Sequence, residues 1–203
     1  MGVKSRRAKH SADTRHALIS AARGLWGQRG SGATSLDEIC ARAGLTKGAL
    51  YHHFRNKEDL FLAVYAQVED DLVLAGAARA SRTTDSWDQL RAAGQGFLQV
   101  CARPDTRRII LEAPVVLGWE EARAVERDHA LGQLEIALQD AAAAGLVDAG
   151  NPYVLAQLLS AVFHEAGMIV AGAGPDPSLR AQVEKELDFV LSRLRTARTH
   201  QRH

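Results

Sequence analysis

Two cysteines in 203 residues, Cys40 and Cys101, are too few for a disulfide framework. Cys40 falls on an apolar helical stripe, where a free cysteine behaves as a small hydrophobe. Cys101 is expected as a buried thiol ahead of a redox sensor. No run of about eighteen uninterrupted apolar residues occurs, so no membrane span is expected. The basic start MGVKSRRAKHSADTRH lacks the apolar stretch of a signal peptide, and cytoplasm is the expected location. Strand-type alternation and internal repeats are absent as well. So are the glycine-framed signatures of hydrolases, nucleotide phosphate loops and dinucleotide sites. His164-Glu165 lacks the second histidine of a zinc helix, and His52-His53 are adjacent, so they cannot chelate from one helix face. Neither a catalytic residue, a metal site nor a cofactor is expected, and an enzyme has no constellation to stand on.

What is there is helix and an uneven charge. Residues 1–60 hold eleven Lys and Arg against five Asp and Glu, a net of +6. The remainder holds fourteen against nineteen, a net of −5. A basic N-terminal third fits a polyanionic partner that the acidic remainder would repel. The hydrophobic content of 46% with 24% charged residues is ordinary for a globular chain, and 203 residues allow one or two domains.

The basic third contains ATSLDEICARAGLTKGALYHHFRNK, which reads as two short helices around a glycine turn. Leu36, Ile39, Cys40 and Ala43 recur at helical spacing and face inward. Thr34 or Ser35 can cap this helix, with Asp37 or Glu38 completing a capping box. Gly44 suits a left-handed terminus, and Thr46 is placed to cap the second helix. Leu50 and Phe54 anchor that helix from inside, while Lys47, Gly48, Tyr51, His52 and His53 lie on its outer side. Asn56 caps a further helix whose first turn holds Lys57, a natural phosphate seat. This is the layout of a helix-turn-helix that enters a major groove.

The run LTKGALYHHFRNKEDLF resembles the DNA-binding signature of the tetracycline-repressor (TetR) family. The resemblance extends upstream through Thr14–Gly30, where Ala17, Leu18, Ala21, Ala22, Leu25 and Trp26 form a stripe. It covers about the first third of the chain. Position by position, it implies that Lys47 and Gly48 approach base edges of double-stranded DNA. Thr34, Thr46, Tyr51, His53 and Lys57 would hold phosphates, and His52 lies beside them with either role open. Lys4, Arg6, Arg7 and Lys9 show no apolar periodicity and are expected as a disordered arm able to reach DNA.

The rest is expected to be helical. One helix runs from Asn56 toward Ala80, and another opens at a Ser86/Gln89 capping box and ends at Cys101. A short helix over 105–116 must kink or end at Pro114. A long helix covers 120–144, closed by Gly145. Asn151-Pro152 and Asp176-Pro177 start two final helices, near 152–171 and 177–197. The fold class is therefore all-α: a three-helix reader over 12–58, a helical effector and dimerisation domain over 59–197, and flexible tails at 1–11 and 198–203. The resemblance implies a homodimer through the last two helices. Two reading heads about 34 Å apart would match a pseudo-palindromic operator. It also implies an unknown small-molecule effector, with Phe97, Cys101, Glu112, Trp119, His129, Phe163, His164 and Met168 as lining residues. Residues 111–119 are the candidate coupling element, and repression is the expected sign of action. The alternative is a helical carrier or interaction protein whose reader no longer engages DNA; the intact outer face of the second helix weighs against it.

Overall fold

The computed structural model describes residues 2–147, 150–174 and 176–196, with side chains from Ala8 onward. Ten α-helices account for most of them: α1 Gly2–Arg29, α2 Leu36–Ala43, α3 Lys47–His53, α4 Lys57–Ala80 and α5 Ser86–Cys101. There follow α6 Pro104–Val116, α7 Trp119–Glu126, α8 Gly132–Ala143, α9 Pro152–Ala173 and α10 Pro177–Ser192. A π-helical turn, Arg127–Leu131, joins α7 to α8. The all-α class is as expected. Among the described residues the extended pairing is one isolated antiparallel bridge, Val147 with Arg195, beside a Thr196 N–H bond to the Leu146 carbonyl at 2.9 Å.

The helices gather into two compact units, residues 1–68 with 104–122, and residues 69–103 with 123–203. In the first, α1 packs on α2, α3 and α6. Leu18, Ala22 and Trp26 of α1, Ile39, Leu50, Phe61, Val64 and Ile109 are all buried. Trp26 and Phe61 stack with ring centroids 5.2 Å apart. Burial of each such side chain contributes about 1.5–3 kcal/mol, so this core holds the head together. In the second unit α9 lies against α5, α8 and α10. Arg91 of α5 is paired through Nε and Nη2 with the Asp188 carboxylate of α10.

Four features of the fold differ from the reading of the sequence. Residues 2–11 are helical rather than a loose tail, because α1 starts at Gly2. Extending a helix already anchored by Leu18 and Trp26 is far easier than nucleating one, and needs no apolar face of its own. The tail expected over 198–203 lies outside the described residues. The first compact unit runs past residue 58 into α4 as far as Val68, and residues 104–122 join it because α6 packs on α1. The cap of α5 is Asp85, whose carboxylate accepts the Trp87 and Asp88 N–H groups at 3.0 Å, while Gln89 turns to the Thr83 carbonyl. Finally, α10 stops at Ser192 rather than near 197, where the chain turns back toward Leu146.

By length and apolarity α9 could cross a bilayer. His164 and Glu165 interrupt it, and its Ala156, Leu159, Ala166 and Val170 face α5, α8 and α10 as one wall of the bundle.

Candidate nucleic-acid interface

Local chemistry builds the reader from both ends. Ser35 Oγ accepts the Glu38 N–H at 3.2 Å, and Glu38 Oε2 accepts the Ser35 N–H at 2.8 Å, which completes the capping box of α2. The Ser35 N–H first, then the Arg29 guanidinium donating to Glu38 Oε1 at 2.9 Å, hold the Glu38 carboxyl below its ordinary range. Gly44 ends α2 in the left-handed region at φ 66°, a conformation that costs glycine no steric strain. Its turn lets the Leu45 N–H reach the Cys40 carbonyl at 2.9 Å. Thr46 Oγ1 then accepts the Ala49 N–H at 3.2 Å and caps α3. Leu50 and Phe54 bury the inner face of α3, with the Arg15 guanidinium 5.3 Å from the Phe54 ring centroid. Asn56 Oδ1 caps α4 by accepting the Asp59 N–H at 2.7 Å.

The outer side is left to solvent. Thr46, Lys47, Gly48, Tyr51 and His52 are exposed, and His53 and Lys57 are half-buried at the margin. The His52 and His53 rings meet edge to face at 5.1 Å. Desolvation first, then the charges of His52 and Arg15, hold His53 below the ordinary histidine range. A Cβ at Gly48 would meet nothing nearer than Thr46 Oγ1 at 3.8 Å, so the protein's own packing does not require glycine there. Thr34 stands apart from the others. It is 1% exposed and its hydroxyl donates to the Gly30 carbonyl at 2.9 Å, so it secures the loop rather than facing outward.

The same loop is gripped from α6. Glu112 Oε2 accepts the Ser31 N–H at 2.8 Å, and Arg23 of α1 reaches Thr106 Oγ1 at 3.4 Å and Asp105 at 3.5 Å. Gly27 lets α1 press on the backbone of Asp105, where a Cβ would lie 2.7 Å from Cα.

Two family descriptions match this chain. "Bacterial regulatory proteins, tetR family" covers residues 18–64, and "Tetracyclin repressor-like, C-terminal domain" covers residues 87–194. The chain belongs to the TetR family. It is a DNA-binding transcriptional regulator, and regulators of this family bind operator DNA and respond to small molecules. The Transposon Tn10 TetC protein of Escherichia coli is 29% identical over 166 residues, 80% of this chain and 83% of that one. The HTH-type transcriptional activator FasR of Mycolicibacterium smegmatis is 43% identical over 86 residues, 42% of this chain and 39% of that protein. Among solved structures, a TetR-family transcriptional regulator from Pectobacterium atrosepticum superposes with a TM-score of 0.81 at 28% identity. That match covers 93% of this chain and 97% of that one.

The residues expected around an effector separate into two groups. Glu112 and Trp119 belong to the first unit. Glu112 is committed to Ser31, and Trp119 is 58% exposed at the start of α7. The remaining six lie in the second unit. Phe97 of α5 lies over Gly167 of α9, and Phe163 of α9 lies over Gly94 of α5. The two rings meet at 6.2 Å. Each glycine gives the opposing ring room that a Cβ would fill, so this pair is the α5–α9 packing itself. Cys101 is fully buried beside Gly167, and burial first, then the Glu69 charge, pushes its thiol well above its ordinary range. A neutral thiol of that kind is a poor redox centre. His129 sits on the π turn, its Nδ1 2.8 Å from the Val125 carbonyl and its Nε2 3.6 Å from Asp70. Met168 is half-buried. His164 Nδ1 lies 3.0 Å from Glu126 Oε1, while Arg123 donates to Glu126 Oε2 at 3.0 Å. Sequence reasoning missed the buried Glu126. The signal was its place on the inner stripe formed by Ala122, Val125 and His129.

Proposed function

We propose that this TetR-family regulator works as a homodimeric repressor on a pseudo-palindromic operator, and that a small molecule held in its second unit releases it. The observation that carries the reading is the outer face of α3. Five exposed residues, Thr46, Lys47, Gly48, Tyr51 and His52, sit on α3 and its Thr46 cap, and Gly48 has open space around it. Exposed donors with an unobstructed backbone are what a major groove needs from a recognition helix. Lys47 and Gly48 serve base edges, Thr46, Tyr51, His53 and Lys57 serve phosphates, and His52 lies between the two sets.

Dimerisation through α9 and α10 is supported by a bare apolar stripe. Val154, Leu158, Val162 and Ile169 of α9 and Phe189 and Val190 of α10 are exposed, although the opposite face of α9 is already buried. A helix apolar on two faces needs a second cover. A two-fold pair of heads then requires a two-fold operator. The effector reading rests on His164, half-buried and paired with the buried Glu126 among the apolar residues of α9, which fits an apolar molecule with one polar group. Residues 105–118 form the coupling path. They run from the clamp on α1 and Ser31 to α7, the helix that ends at Glu126. Repression is favoured by the match of residues 87–194 to the C-terminal domain of tetracyclin repressor-like proteins. The activator FasR is matched over only 39% of its length, so its sign of action does not carry over.

Selection of bound duplexes from a random pool tests the reading. Two inverted half-sites about one helical turn apart should emerge. Titrating apolar ligands against tryptophan fluorescence should then find one bound more weakly when operator is present, by a factor of about 5–150. His164→Ala should bind operator normally and respond less. Enrichment of a single half-site would overturn the dimer, and ligands bound equally with and without DNA would overturn the switch.

A further inference from the structure

Asp37 lies in the first turn of α2 beside Glu38, but the capping box uses Glu38 alone. Asp37 reaches across to α3 instead, where its Oδ1 stands 2.7 Å from Lys47 Nζ. The two side chains are 64% and 57% exposed. An ion pair this open adds little to stability, so folding does not account for it. Nor does attraction to DNA. Residues 1–60 carry a net of +6, and a carboxylate beside the first turn of α3 opposes the approach of a polyanion.

Resting on the reading of α3 as the helix that enters the groove, we propose that Asp37 and Lys47 act together as a single reader of one G·C base pair. In the major groove guanine offers two adjacent acceptors, N7 and O6, and its cytosine partner offers the N4 donor next to O6. N4 and O6 are themselves hydrogen-bonded, hence about 2.9 Å apart. Lys47 Nζ and Asp37 Oδ1 stand 2.7 Å apart with the complementary polarity, donor beside acceptor. Laid against the pair, Lys47 donates to O6 and N7 while Asp37 accepts from N4. An A·T pair alternates acceptor, donor and acceptor, which leaves the lysine one acceptor instead of two.

A lysine alone is a mobile point donor that any acceptor satisfies, phosphate included. Coupling it to Asp37 adds a requirement for a donor at the next position, and sets a negative oxygen against every phosphate or acceptor-only edge. Asp37 is thus a specificity-determining residue and the positioning partner of Lys47. Gly48, with open space where its Cβ would stand, lets this corner come close to the base edge.

The test is selection from a random duplex pool with the full-length wild type, Asp37→Ala, Lys47→Ala and the double variant. The wild type should fix G·C at one position of each half-site. Asp37→Ala should still enrich the operator, yet lose roughly 5- to 150-fold of discrimination at that position and none elsewhere. Its binding to non-operator DNA should tighten, with a log–log salt slope steeper by up to about one. The double variant should add little to either single change, since both remove the same contact. The proposal falls if Asp37→Ala leaves that position unchanged while Lys47→Ala relaxes it, or if Asp37→Ala relaxes all positions alike. A wild type that enriches no sequence would instead bring down the reading of α3 itself.

Discussion

Gly48→Ala should make the protein more stable and a poorer regulator at the same time. Gly48 lies in the first turn of α3 with negative φ, so alanine can take its conformation without strain. The new Cβ would sit 3.8 Å from Thr46 Oγ1, an ordinary contact, with no other atom within 4 Å. Glycine-to-alanine changes at compatible sites stabilise by about 0.4–1 kcal/mol, chiefly by restricting the unfolded chain. For a protein of this length that corresponds to a rise of about 1–4 °C in melting temperature. On DNA the same methyl group occupies space that the base edges or sugar need. A contact overfilled by one methyl typically loses about 1–3 kcal/mol, or roughly 5- to 150-fold in operator affinity. Thermal melts monitored by circular dichroism and fluorescence anisotropy with a selected operator read the two effects separately. An alanine variant that melts higher and binds equally well would refute close approach at Gly48. One that melts lower would refute the open environment from which the argument starts.

Three further outcomes are expected. Lys57→Ala should weaken binding to all sequences alike and reduce the log–log salt slope by about one in anisotropy titrations, because a phosphate contact carries no base information. Glu112→Ala removes the acceptor of the Ser31 N–H and should cost about 1–3 kcal/mol, read as a lower urea midpoint, whereas Glu112→Gln should retain part of it. His53 is held below its ordinary value of 6.5 by desolvation and by His52 and Arg15, so the folded head binds fewer protons there than the unfolded chain. Its contribution to stability is therefore present above pH 6.5 and is lost as pH falls toward the lowered folded value. Operator phosphate favours the imidazolium instead, so affinity should tighten over the same window, and His53→Gln should flatten both profiles.

The reader was legible because its determinants are local. Ser35 with Glu38, Gly44, Thr46 and Asn56 each act within four residues of where they stand, and a cap or a turn is a short-range event. The helical start of α1 was not, since the sequence around Lys4, Arg6, Arg7 and Lys9 has no apolar periodicity and its helix continues from the anchored turns that follow. The effector residues were the least legible. Glu112 answers to Ser31, Glu126 to His164 and Phe97 to Gly167, partners far away in sequence that periodicity does not connect. The same holds for Asp37 and Lys47, which look like two ordinary surface charges until the turn brings α2 and α3 together.

The head that carries the reader is assembled from two stretches of chain, residues 1–68 and 104–122. It follows that a fragment ending after α4 would be a head with its back removed, leaving Arg23, Gly27 and Ser31 without the side chains and backbone of α6 that meet them. Chimeras that graft this reader onto another sensor must carry α6 across as well, or fit a foreign α6 to the α1 surface. The reader is not a detachable N-terminal cassette, and any exchange of specificities between relatives, in the laboratory or by recombination, has to respect a seam that crosses the middle of the chain.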